Sequence, residues 1–220
     1  MTVAAVILAA TDEDAVAPTE GQPRVRRLVD IAWAGGALPV IVVSPDPDGA
    51  VARALVGSEA VLAQPAGTQG GPLGQIRRGM EAARAEVRDL GAILVWPSSM
   101  TWVGPETVTS LIEAHGVDRD LVLLPTWQGQ TGWPVLIPLA RLAELEGTTT
   151  DRPPSLVIGD LIERVPSRTV DLGDPGVLHD VGTPRSDLPR YEGPPDPPAG
   201  HTHEWGDDVV AEADLPSPAG

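Results

Sequence analysis

With 220 residues and a formal net charge of −16, the chain is long enough for one domain with a sizeable core. It is too acidic for nucleic acid or an anionic membrane to be its main partner, since both require basic surface. All 15 positive side chains are arginine, which excludes lysine chemistry, and the absence of cysteine excludes disulfides, thiolate metal sites and a cysteine nucleophile.

The N-terminus lacks the basic start and cleavage pattern of a signal peptide, and no apolar run reaches transmembrane length. Together with the missing cysteine, this sets the expectation of a cytoplasmic protein. In chain order, strands are expected at Val3–Ala9, Pro39–Ser44, Ala60–Ala63, Ala92–Trp96, Leu121–Pro125 and Pro134–Ile137. The first, second and fourth are near-continuous apolar runs, as in strands covered on both faces. Helical patterns lie between them at Arg24–Ala34, Ala50–Leu55, Leu73–Val87 and Glu106–His115. In the third, Leu73, Ile76, Met80 and Ala83 fall at helical spacing, with Arg77, Arg78, Arg84 and Arg88 on the other side. Helices at Leu139–Leu145 and Ser155–Arg164 follow, then a strand pair around Thr169–Leu172 and Val177–Val181. Alternating strand and helix predicts a three-layer Rossmann-like α/β sandwich with a mostly parallel central sheet.

The organisation expected is one domain over residues 1–190 and an acidic, proline-rich tail over 191–220. The tail holds seven acids, six prolines and no basic residue, and leaves −9 on the rest. Its composition buries too little apolar surface to offset ordering entropy, so it reads as disordered.

Candidate functional residues cluster where α/β sheets bind ligands, beyond the C-terminal ends of strands. The first strand runs into Thr11-Asp12-Glu13-Asp14, where a phosphate site would need free N–H groups and positive charge. The three acids form either a new cation site or a solvated loop. Ser98 and Ser99 are either phosphate-binding hydroxyls or a turn, and Gly67, Gly70, Gly71 and Gly74 either admit a base to the backbone or shape a helix entry. Arg77 and Arg78 are phosphate ligands or a solvated face. Trp96, Trp102, Trp127 and Trp133 read as a shared surface at the sheet edge rather than as core filling. His201, His203 and Glu204 form a weak metal pattern in the tail. His179 reads as structural.

Five stretches resemble the MobA-like NTP transferases, the family that includes the molybdenum-cofactor cytidylyl- and guanylyltransferases. Val3–Ala10 is similar to the strand leading into the Leu-Ala-Ala-Gly loop, and Gly21-Gln22-Pro23 through Gly36 to the loop and helix that follow. Gly70–Ala83 is similar to the glycine-led helix beside the base. Trp96–Thr107 resembles the strand end carrying Gly-Asp-Met-Pro and the later Pro-Glu-Thr. Gly129–Pro138 and Asp180–Leu188 resemble the Gly-His-Pro and Asp-x-Asp-Thr-Pro-x-Asp-Leu segments. The resemblance implies a Rossmann-like sandwich that moves a nucleotidyl group from CTP or GTP with Mg²⁺. It places nucleotide contacts at Ala9, Ala10, Thr11, Gly70, Gly71, Ser98 and Ser99, and leaves Asp180 and Asp187 as metal candidates.

The chain departs from the family at the positions that carry charge. Thr11 replaces the loop glycine, the interval to Gly21 is short, and the loop lysine has no counterpart. Ser99 stands for the metal aspartate, a poor exchange for Mg²⁺, which prefers carboxylates. Trp133 stands for the histidine, and Gly182 for the acid before Thr183-Pro184. No catalytic residue is assigned. Three readings follow: a non-catalytic binding or assembly module, partnered by an active homologue or a molybdoenzyme maturation factor; an altered nucleotidyltransferase; or a nucleotide sensor.

Overall fold

The computed structural model describes residues 2–65, 71–145 and 152–194. The elements, in order, are β1 (Thr2–Leu8), α1 (Asp12–Val16), β2 (Pro18–Thr19), β3 (Gln22–Pro23), α2 (Arg24–Ala34), β4 (Val40–Val43), α3 (Ala50–Ala54) and β5 (Ala60–Ala63). Then come α4 (Gly71–Glu86), β6 (Leu90–Pro97), α5 (Pro105–Val117), β7 (Val122–Trp127), β8 (Gln130–Thr131), β9 (Val135–Pro138), α6 (Pro154–Ile162) and β10 (Ser167–Asp171).

The main sheet has the order β10-β7-β9-β6-β1-β4-β5, with β8 paired to β7. β5, β4, β1 and β6 are mutually parallel, β9 runs antiparallel to both β6 and β7, and β10 is parallel to β7. The continuous apolar runs have a simple cause. Period-two alternation sends Ala5 and Ile7 of β1 toward α2 and α5, and Ala4 and Val6 toward α4. Both faces are covered, so every residue from Val3 to Leu8 is buried. On one face Leu28, Val29, Val108 and Leu111 close the core, and on the other Ile76, Ala83, Val157 and Leu161. Each such side chain contributes about 1.5–3 kcal/mol when fully buried, apart from the smaller alanine. Gly79 lets α4 lie against β1: a Cβ there would collide with Val6 Cγ1.

Several expectations are corrected. Val177–Val181 is not a strand. Pro175–Val177 forms a 3₁₀ turn capped by the Asp174 carboxylate, and β10 pairs with β7 instead. The helix expected at Leu139–Leu145 forms over those bounds, and it is of the 3₁₀ type. Asp12–Asp14 is not an irregular loop but the first turn of α1. Trp96 does not belong to a surface, being fully buried with its indole N–H donating to Met100 O at 2.8 Å. Trp133 likewise packs against both halves of the core. Tyr191–Pro194 still lie beside the domain, with Glu192 N donating to Gly173 O at 3.0 Å. The rest of the acidic stretch, 195–220, is outside the described residues, as are Gly67, Gly70, His201, His203 and Glu204. Among the described residues no helix is long and apolar enough to cross a membrane.

Candidate functional site

The parallel strands β1 and β6 end side by side, Leu8 opposite Pro97, and Ser98 N donates to Leu8 O at 2.8 Å. That register sets Ala9-Ala10-Thr11 next to Ser98-Ser99 at the C-terminal edge of the sheet. Ala9 is buried, Ala10 and Thr11 are exposed, Ser98 is buried and Ser99 half-buried. The turn carrying Asp180 joins them, because Val181 N donates to Ser99 O at 2.8 Å. From the other side α4 enters at Gly71, where φ is +44°, and Gln75 Nε2 donates to Ala9 O at 3.4 Å. The edge thus gathers Ala9, Ala10, Thr11, Gly71, Ser98, Ser99 and Asp180. Asp187 stands apart, exposed in the 3₁₀ turn Arg185–Asp187.

The electrostatics at this edge are those of a closed acidic turn. Thr11 Oγ1 caps α1 by accepting from Asp14 N at 3.1 Å. Asp12, Glu13 and Asp14 fill its first turn, where they complement the partial positive charge of the helix terminus. The Glu13 carboxyl is held below its ordinary range by its own backbone N–H first, then by the Thr11 hydroxyl. The nearby cations face acids: Arg24 meets Asp14 at 3.4 Å and Arg27 meets Glu20 at 2.8 Å. Burial also pulls the Arg27 guanidinium down from its usual range, with Glu20 acting in the opposite sense.

A second arrangement was not legible as a unit in the sequence. Glu20 Oε2 also accepts from Arg185 at 2.7 Å, so one carboxylate joins α2 to the 180–188 segment. Both guanidiniums also lie near the Trp102 ring, Arg27 at 5.5 Å and Arg185 at 6.0 Å from its centroid. Its indole N–H donates to Asp180 O and Thr183 O at 2.9 and 3.0 Å. Glu20 reaches this position with φ at +51°, an uncommon setting for a residue with a side chain. The closest hint in the sequence is the Glu20-Gly21 turn, which says nothing about a residue 165 positions away.

A divalent cation finds a poor fit here. Ser99 offers a neutral hydroxyl, and Asp180 Oδ1 accepts from its own Gly182 N at 2.9 Å. Asp187 Oδ1 accepts from Ser186 at 3.0 Å. Among the described residues no group of three or more His, Asp or Glu is placed to hold a metal ion.

Comparison with known families returns one match: the MobA-like NTP transferase domain, over residues 12–165. The chain belongs to that family. A search of curated proteins finds no match. Among solved structures, this MobA-like domain is similar to a nucleotidyl transferase from Methanothermobacter, at 19% identity and TM-score 0.66, covering 84% of this chain and 94% of that one. It is similar to Rv0371C of Mycobacterium tuberculosis, solved in complex with manganese, at 19% identity, TM-score 0.60 and 78% and 88% coverage. It also resembles 2-C-methyl-D-erythritol 4-phosphate cytidylyltransferase from Thermus thermophilus, at 19% identity, TM-score 0.59 and 86% and 96% coverage. At these identities the likeness is one of fold: a nucleotidyltransferase-like α/β sandwich. The strand Val3–Ala10 and the Asp180–Leu188 segment lie outside the family match, although they border the same edge.

Proposed function

We propose that this MobA-like domain binds rather than transfers: a non-catalytic binding or assembly module of molybdenum-cofactor or nucleotide metabolism. In this reading it is cytoplasmic and works beside an active homologue or a molybdoenzyme maturation factor. The observation that carries the reading is the turn after β1. Thr11 takes up the Asp14 N–H, three carboxylates occupy the first turn of α1, and Arg24 is directed at Asp14. A triphosphate arriving there meets like charge and a backbone donor already in use. Nucleotidyl transfer rests on positioning and on neutralising phosphate charge, where one cationic clamp is worth ~10³–10⁵ in rate. Without lysine, and with Ser99 in place of the metal acid, both contributions are reduced together. The metabolic link rests on the family alone.

A second reading, a nucleotide sensor or altered transferase using CTP or GTP with Mg²⁺, is favoured by one observation. α4 is 16 residues long and opens at Gly71 on the same edge as Ser98 and Ser99. The experiment is calorimetric titration of the full chain with CTP, GTP and ATP, each with and without Mg²⁺, followed by turnover assays. The expected result is no Mg²⁺-dependent binding at millimolar nucleotide. Binding without turnover would favour the sensor, and transfer of a CMP or GMP group would overturn the proposal.

A further inference from the structure

In so acidic a chain most arginines are already engaged, seven of them in ion pairs. Arg77 and Arg84 differ: both are exposed on α4, with neither an ion pair nor a hydrogen bond among the described residues. Seven residues apart, they lie on one side of the helix about 10 Å from each other along its axis. Between them and the Leu139–Leu145 3₁₀ helix runs a groove of about 300 Å³. Its lining sets the apolar Met80, Leu139 and Leu142 among Arg77, Arg84 and Glu81, and Glu81 points its charge toward Arg78 at 4.0 Å. Two guanidiniums unpaired among the described residues, beside apolar side chains, suit an acidic segment with apolar residues interspersed.

The chain itself contains such a segment. Glu204–Leu215 carries Glu204, Asp207, Asp208, Glu212 and Asp214, with Trp205, Val209, Val210 and Leu215 among them and no basic residue. The described chain ends at Pro194, and the 13 residues from there to Asp207 span up to about 45 Å. A folded unit of this size has a radius of gyration of about 16 Å, so the groove is within reach. Covalent attachment supplies an effective concentration on the order of millimolar, so a weak contact suffices.

We propose that Glu204–Leu215 docks in the α4 groove of its own chain. Its carboxylates meet Arg77 and Arg84, and its apolar side chains cover Met80, Leu139 and Leu142. The absence of cysteine makes the test clean. A nitroxide is attached to full-length, ¹⁵N-labelled protein through Ala85→Cys, an exposed position beside Arg84. Amide signals of residues 204–215 are expected to lose more than half their intensity relative to the reduced tag. They should recover in the Arg77→Glu/Arg84→Glu variant, and in 1 M salt, where the screening length falls to about 3 Å. If that variant does not fold, Asp208→Asn/Glu212→Gln/Asp214→Asn in the segment gives the same readout. Undiminished tail signals in the parent protein would overturn the proposal, as would loss of intensity that survives the charge substitutions. Equal loss when tagged, unlabelled chain is mixed with untagged ¹⁵N chain would overturn it too, by assigning the groove to a second copy.

Discussion

Asp174 is 3% exposed and makes no ion pair among the described residues, yet its carboxylate is fully used. One oxygen accepts from Gly104 N at 2.9 Å and Thr107 Oγ1 at 2.6 Å, and the other from Gly176 N at 2.8 Å. It therefore ties the start of α5 to the turn at Pro175–Val177. Asp174→Ala leaves those donors buried without an acceptor and should cost about 3 kcal/mol, lowering Tm by roughly 6–12 °C. A scanning-calorimetry shift below 2 °C would contradict that role. His115 is the opposite case: 2% exposed, with neither ring nitrogen partnered. Burial, then Arg119, lowers its folded pKa below the ordinary 6.5. Between the lowered and ordinary values the unfolded chain holds more protons, so stability rises with pH in that window. It is lost as pH falls below about 6.5. His115→Leu should flatten this acid limb in urea unfolding compared at pH 5 and 7.5. An unaltered difference between the two pH values would show that the ring is not buried in neutral form.

At the scale of elements, the 180–188 segment is held by the indole of Trp102 and by the Glu20 bridge to Arg27 and Arg185. Glu20 is about a third exposed, so solvent screening limits each pair to at most ~1 kcal/mol. Glu20→Gln should therefore leave the global unfolding midpoint almost unchanged. Local opening of the segment should rise about fivefold, read as faster hydrogen exchange at Val181 and Thr183. Exchange that does not change would mean that Trp102 and the Val181–Ser99 hydrogen bond hold the segment without the bridge. α1 shows the same economy of charge: Thr11 caps it, and the acids of its first turn complement the charge of the helix terminus.

Across the whole molecule, periodicity made the sandwich legible. Arg24–Ala34 and Ala60–Ala63 form where their patterns predict, and the mostly parallel sheet follows from alternation of strand and helix. Reversal of β9 was not legible, because a short apolar run carries no mark of its direction. Nor was the pairing of β10 with β7, since a strand's partner is chosen by the sheet edge that remains open. Trp96 misled for a related reason: an aromatic at a strand end reads as surface until the layer above it is known. By itself the sequence determined the layers, the acidic run after β1 and the absence of lysine. These are properties of local pattern and residue identity. Only the tertiary structure decided that Thr11, Ser99 and Asp180 share one edge, and that Glu20, Arg27, Trp102 and Arg185 close beside it. Strand register and chain crossover bring residues more than a hundred positions apart into contact, and neither leaves a trace in local spacing.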